Sequence, residues 1–580
     1  MTTNLITIDN YKEELSGWSP ESPNQLFAIV DMGSNGIRFT ITDLSPPFTR
    51  LLRCVYRERA GISLFDALSA SGSSTSSDLK FPTETIRLVS ETLARFRRIA
   101  DGYGVAPENF SVLATEAMRR ASNAADMLDA IREQAGVGVH ILAPEIETMF
   151  GAVMGSRSSF VNINRGALFL DLGGGSVQMT WVDTKLPEYE IEAALAGVSL
   201  PFGAARLIRV LEGDAKVAST EKAKLRDGMR KAFEKLSETF PSLRDGLKSG
   251  EGVDVYLCGG GFRGYGSMLM HNDPVQPYPI PSVGAYTVAG EFFRQTKRMQ
   301  EINERFDGKI FGLSKRRRQQ FPAILEVLDA LVNVVPAIRT ATFCTGSNRD
   351  GALLMKLPRE IRESDPLEAL ANVGAEDKPI IDAVTATLRG SIPDGQDLSL
   401  VPTIFSLGLA PLFIQRIWHR MGEDVYSNAA NALHEAVTRD PKAPGLTHLA
   451  RAVLGLTVAA RWGYSLGPID AELYTGLKGV LDEAHGTASF WAEYFGVVAD
   501  ILSMIIPCQP RKVEDITSTI KVSAALDTSG KKDKIRLELQ IAHDALKGVD
   551  TEVVKQMVEE IGKQKGRKCA IKIRAEISGV

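Results

Sequence analysis

The chain has 580 residues, 44% hydrophobic and 24% charged, an ordinary globular composition whose length suits roughly three or four domains. A formal net charge of -4 gives no overall attraction to polyanions, so direct nucleic-acid binding is not expected and any phosphate must be captured by a local set of donors. Cys54, Cys258, Cys344, Cys508 and Cys569 include no CxxC pair, which argues against a disulfide framework or structural zinc and suits a reducing compartment.

The first 18 residues carry Asp9, Glu13 and Glu14 and do not read as a secretory signal, so residues 1–24 are expected to form a tail. No uncharged apolar run is long enough to span a bilayer, and the expected location is the cytoplasm, with the nucleus also open. Residues 26–30 are an apolar run ending in Asp31-Met32-Gly33-Ser34-Asn35-Gly36, and alternation resumes over 37–41, which predicts strand, tight turn, strand. Residues 69–77 are Ser- and Gly-rich and read as a flexible surface loop. Ile86, Val89, Leu93, Phe96 and Ile99 fall at helical spacing within 82–103, followed by a strand over 110–114.

The first device then recurs: 167–170 run into Asp171-Leu172-Gly173-Gly174-Gly175-Ser176 and on into a strand over 177–181. Residues 253–258 followed by Gly259, Gly260 and Gly261 supply a third strand-to-glycine turn with a helix after it. From about residue 358 the texture becomes Ala- and Leu-rich, predicting helices over 402–422, 426–438, 447–462 and 471–485. Residues 520–580 read as strand, strand, helix over 551–561 and strand over 569–577.

A phosphate needs several convergent N–H donors at close range, and a glycine-rich turn lets backbone amides approach without a Cβ in the way. Both Asp-led turns provide this, with Asp31 and Asp171 placed to hold Mg²⁺ or a water and Ser34, Asn35 and Ser176 adding side-chain donors. Tight hairpins favour Gly, Asn and Ser for conformational reasons alone, but two matched turns with the acid at the same place favour a shared phosphate clamp.

These residues resemble the exopolyphosphatase/guanosine-pentaphosphatase family, whose turns read DxGSNS and DxGGGSxE, over roughly residues 25–357. In order, 114–123 (ATEAMRRASN), 144–147 (PEIE), 199–207 (SLPFGAARL), 313–317 (LSKRR) and 348–351 (NRDG) are similar to further segments of that family. The resemblance implies an α/β, two-lobed actin-like ATPase (ASKHA, ribonuclease H-like) core, with lobes over 25–155 and 156–357, then a helical domain over 358–512 and a small α/β unit over 513–580. It also implies Glu147 as the base that activates water, Asp171 with Asp31 as metal holders, and Arg38, Arg119 and Arg317 as charge-neutralising groups. Gly33 to Gly36, Gly173 to Ser176, Gln178 and Gly259 to Gly261 complete the expected phosphate or nucleotide site.

Three positions depart from the family pattern. Gln178 stands where the family has a second carboxylate, Gly36 replaces a serine, and Phe262 replaces a threonine. Losing a carboxylate weakens divalent-metal binding and removes a group that raises the base's pKa, which favours ligand binding over turnover. With the chain length and C-terminal architecture, these departures are similar to a fungal signalling branch of the family that reports mitochondrial state to the nucleus. The ligands implied are Mg²⁺ with ATP, polyphosphate or another phosphoanhydride, and the partner is a regulatory protein controlling transcription-factor nuclear entry; a homodimer is compatible.

Alternatives are an active exopolyphosphatase or nucleotide phosphohydrolase, and more distantly a small-molecule kinase of the same superfamily. His419, His434, His448 and His485 lie on separate helical segments and form no evident metal set. The cluster Lys563, Lys565, Arg567 and Lys568 reads as a solvated helix end.

Overall fold

Two six-stranded sheets share one plan. The first holds β1 (Leu5–Ile6), β2 (Leu26–Gly33), β3 (Gly36–Asp43), β4 (Arg53–Ala60), β5 (Phe110–Ala114) and β6 (His140–Leu142), in the order β1-β6-β5-β2-β3-β4. The second holds β7 (Ala167–Leu172), β8 (Val177–Val182), β9 (Val198–Leu200), β10 (Val253–Cys258), β11 (Tyr286–Ala289) and β12 (Ile338–Phe343), in the order β11-β12-β10-β7-β8-β9. In each, a central strand pairs antiparallel with the next, which pairs antiparallel with a third, while two later strands add in parallel on the other side. The duplicated order β4-β3-β2-β5-β6 and β9-β8-β7-β10-β12 is the two-lobed actin-like, ribonuclease H-like architecture that the sequence led us to expect.

This computed structural model describes residues 5–15, 17–70, 79–160, 163, 165–439, 443–527, 534–561 and 571–579. Central strands carry near-continuous apolar runs because both faces are covered: Ala167, Leu168, Phe169 and Leu170 are fully buried. The edge strand β4 is largely exposed and carries Arg53, Arg57, Glu58 and Arg59 instead, which discourages further pairing. Register places Asp31 opposite Arg38 and Asp171 opposite Gln178, so the two aspartates occupy equivalent positions at the mouths of the two hairpins.

The expected N-terminal tail is instead built into the first lobe. β1 pairs in parallel with β6, and Tyr11, Leu15 and Trp18 are buried in the core under the sheet. A two-residue strand has no readable period, and spaced aromatics in an acidic segment mask the anchoring.

The chain packs as two units, residues 1–272 with 282–369 and residues 273–281 with 370–580. The second contains helices Ala410–Ile417, Val425–Thr438, His448–Arg461, Pro468–His485 and Ala488–Ile505. It also holds a three-stranded sheet of β13 (Ile520–Asp527), β14 (Lys534–Ile541) and β15 (Lys572–Gly579), with helix Thr551–Ile561 before the last strand. Segment 402–422 is not one helix: Gly408 adopts φ 68, and Pro411 opens the shorter Ala410–Ile417. Helix Ala488–Ile505 is long and apolar enough to cross a membrane, but 89% of it is buried inside the protein, as in a core helix.

Segment 273–281 leaves the first unit and packs within the second, where Tyr278 Oη lies 2.7 Å from His448 Nδ1. The Ser-rich stretch 71–78, Cys569 and the basic cluster at 563–568 lie outside the described residues.

Candidate functional site

The hairpin turns of the two lobes meet face to face. A Cβ added to Gly174 would lie 2.6 Å from Asn35 Nδ2 and 3.0 Å from Ser34 Cβ, so only glycine lets the turns come this close. The outer carbonyls of each turn are taken up by the scaffold. Ser34 O accepts from Phe65 N at 3.1 Å and Asn35 O from Arg59 at 3.1 Å, while Gly173 O and Gly174 O accept from Ala204 N and Ala205 N, both at 3.0 Å. Turns held by their carbonyls present the opposite, amide edge inward. Gly36 has φ 151, a conformation that a side chain strains against, which accounts for glycine where the related turns carry serine.

Asp31, Gly33, Ser34, Asn35, Gly36, Arg38, Glu147, Asp171, Gly173, Gly174, Gly175, Ser176, Gln178, Gly259 and Gly260 line one cleft enclosing about 750 Å³ of open space. Three expected site residues stand back from it. Gly261 packs on β7, where a Cβ would meet Leu172 at 2.4 Å. Arg119 donates to Glu147 Oε2 at 2.9 Å and to Leu142 O, so it partners the acid rather than lining the cleft. Arg317 lies behind Gly260, within 3.4 Å of where its Cβ would be, and donates to Gly312 O at 3.3 Å.

Residues that the sequence reading left unassigned complete the wall: Thr115, Arg263, Gly346, Ser347 and Asn348. Arg263 donates to Cys344 O at 3.0 Å, tying the helix after β10 to the end of β12. The signal was present in the sequence, because Cys344-Thr345-Gly346-Ser347 is a fourth strand-to-glycine turn.

Buried acids and arginines are interleaved around the cleft. Glu147 follows β6 on the short helix Pro144–Glu147, and its side chain keeps 14% exposure. Burial pushes its pKa up to about 7 against the opposing pull of Arg119, with Glu116 and Asp171 adding to the rise. Burial also raises Asp171 to about 6, with Arg263 and Arg38 lowering it and Asp31 raising it. Asp31 is raised by burial and pulled down by Arg349 and Arg38. Loss of the carboxylate at 178 therefore does not strip the base of its raised pKa, because burial supplies it. Burial and crowding by Arg263, Arg38 and Arg59 push Arg317 down to about 9, still charged at neutral pH.

Gln178 is 2% exposed and donates to Ser176 Oγ at 2.9 Å, so it fixes the second turn. Asp31 Oδ1 and Asn348 Oδ1 are buried without a hydrogen-bond partner in the protein. Among the described residues no cluster of three His, Cys, Asp or Glu side chains could hold a metal on its own. A Mg²⁺ ion keeps several waters and needs only one or two carboxylates when phosphates supply other oxygens, so Asp31 and Asp171 fit an ion that arrives with its phosphate.

Comparison with known proteins shows the family. The Ppx/GppA phosphatase family matches residues 41–360, and the RTG2 C-terminal domain matches residues 365–578. The chain is 32% identical over 496 residues to Retrograde regulation protein 2 of Saccharomyces cerevisiae, covering 83% of this chain and 81% of that protein. It is 28% identical over 348 residues to Exopolyphosphatase 1 of Mycobacterium tuberculosis, covering 57% of this chain and 88% of that one. The solved Ppx-GppA enzyme of Aquifex aeolicus overlays with a TM-score of 0.43 at 20% identity, covering 57% of this chain and 99% of that one.

Proposed function

Because the chain belongs to the Ppx/GppA phosphatase family and is similar over most of its length to Retrograde regulation protein 2, we propose that it is a phosphate- or nucleotide-binding signalling protein whose cleft senses a phosphoanhydride. The observation that carries this reading is the close approach of the two glycine turns at Gly174 and Asn35, which supports one anion meeting the amides of both. ATP or polyphosphate, with Mg²⁺ held by Asp31 and Asp171, is the expected ligand. The ion would offset phosphate charge when bound. Arg38 and Arg263 in the wall, with Arg317 behind it, supply the fixed positive charge.

A ligand gripped by turns from both lobes binds the closed cleft more tightly than the open one, so occupancy shifts the lobe angle without requiring turnover. The proposed output is a regulatory protein partner of the retrograde pathway that controls transcription-factor localisation. Titration calorimetry with ATP and long-chain polyphosphate, with and without Mg²⁺, tests the site. Binding that Gly174→Ala and Arg38→Ala both weaken supports the reading, and the absence of binding by either anion sinks it.

A second reading, hydrolysis, is favoured by the raised pKa of Glu147. A base near 7 is suited to taking a proton from water at neutral pH. Water would attack the terminal phosphorus, its proton passing to the Glu147 carboxylate as the anhydride bond breaks and the shortened chain leaves. Phosphate release that disappears in Glu147→Ala while ligand binding persists selects this reading.

A further inference from the structure

Two arginines reach from the second lobe onto one carboxylate of the first. Asp66, on helix Leu64–Ala70, accepts from Arg209 Nη2 at 2.6 Å through Oδ1 and from Arg316 Nη2 at 2.7 Å through Oδ2. Arg209 belongs to helix Ala204–Leu211 and Arg316 to helix Lys315–Gln319. The side chains of Asp66, Arg209 and Arg316 keep 42%, 41% and 35% exposure, so as ion pairs alone they add little.

Arg316 does more than pair with Asp66. The same Nη2 donates to Asn35 Oδ1 at 3.1 Å and to Ser63 Oγ at 3.0 Å, and Ser63 Oγ donates to Ser34 O at 3.1 Å. The guanidinium therefore reaches the first glycine turn by two routes, although Arg316 is not among the residues that line the cleft.

A guanidinium has only donors, so the Asn35 amide must turn its oxygen to Arg316 and its nitrogen away. Asn35 Nδ2 then faces the second turn, 2.6 Å from where a Cβ on Gly174 would lie. The backbone of Asn35 is held by its own lobe, where its O accepts from Arg59 at 3.1 Å, but its side chain is held by the opposite lobe. Parting the lobes would free the side chain and leave the backbone in place.

Resting on the phosphate-sensing reading above, we propose that Arg316 is a positioning residue that makes donation from Asn35 Nδ2 to a bound phosphate conditional on lobe closure. Asp66 keeps the guanidinium in its bridging place, and Arg209 braces Asp66 through the other oxygen. An anion gains this donor only in the closed cleft, which is the differential affinity that closure by ligand requires.

The test is a double-mutant cycle on the full chain, titrated by calorimetry with ATP and with long-chain polyphosphate in the presence of Mg²⁺. Arg316→Ala should weaken binding about tenfold, the scale of one well-placed hydrogen bond to a charged group. In an Asn35→Ala background the same change should cost at least about threefold less. An arginine acting through its charge alone would cost the same in both. Asp66→Ala separates the two ideas by sign. Deleting a negative charge beside a phosphate site tightens binding by electrostatics, whereas loss of the anchor for Arg316 should loosen it about threefold. Asp66→Ala carries the test if Arg316→Ala does not fold. Equal losses in the two Asn35 backgrounds, or unchanged or tighter binding by Asp66→Ala, overturn the proposal and leave phosphate sensing standing. A wild-type chain that binds neither anion overturns both.

Discussion

Replacing Glu147 by glutamine should change how the stability of the two-lobed unit depends on pH. The carboxyl titrates near its ordinary 4.5 in the unfolded chain and at about 7 in the fold. A raised carboxyl binds its proton more tightly when folded, so its favourable contribution is complete below about pH 4.5 and is lost as pH rises through about 7. A rise of about 2.5 units at ~1.36 kcal/mol per unit is about 3 kcal/mol of stability lost across that window.

Glutamine has no proton to lose and can still accept from Arg119, so the variant should lack this slope. For a unit of this size about 1–2 °C of melting temperature accompanies each kcal/mol. The melting temperature of Glu147→Gln minus that of the wild type should therefore climb by about 3–6 °C between pH 4.5 and 8. Scanning calorimetry of the ligand-free chain at several pH values measures it. A difference that stays flat across that range, with both proteins folded, would refute the burial argument for Glu147.

Gly174→Ala should reduce phosphoanhydride affinity at least tenfold, because its Cβ would lie 2.6 Å from Asn35 Nδ2; adding Asn35→Ala should restore some of the loss, read as coupling in a double-mutant titration. Gln178→Glu should strengthen Mg²⁺-dependent ligand binding by restoring a carboxylate to the cleft, and equal Mg²⁺ dependence in both proteins would count against metal at this site. Any hydrolysis should rise with pH through about 7, as Glu147 loses its proton, and an activity profile falling over that range would exclude it as base. Glu363→Ala should cost about 3–5 kcal/mol in denaturant unfolding. It strips the fully buried Arg157 of a 2.6 Å partner and Tyr189 Oη of its acceptor.

The lobes were legible because their signals are local. Asp31 and Asp171 each end an apolar run and open a glycine turn, and the paired registers set both at one cleft. What escaped depends on tertiary contacts. Nothing in the sequence shows that Arg119 faces Glu147 rather than phosphate, because the two are joined only when β5 and β6 pair. Asn348 and Arg263 enter the wall because β12 lies beside β10, an adjacency across many intervening residues. The burial that raises Glu147 likewise exists only once the lobe has closed over it.

The nine residues at 273–281 are a stitch: the chain leaves the lobed unit after Asn272, lies in the helical unit, and returns before going back for good after Ala369. Val275 and Pro279 rest over Gly479 and Gly476, where a Cβ would come within 3.0 Å and 3.1 Å of them. Cutting the chain at the obvious junction therefore does not yield a pair of free-standing halves. A fragment ending there would carry a bare nonapeptide with Tyr278 turned out to water, and a chimaera exchanging C-terminal halves must exchange that nonapeptide too.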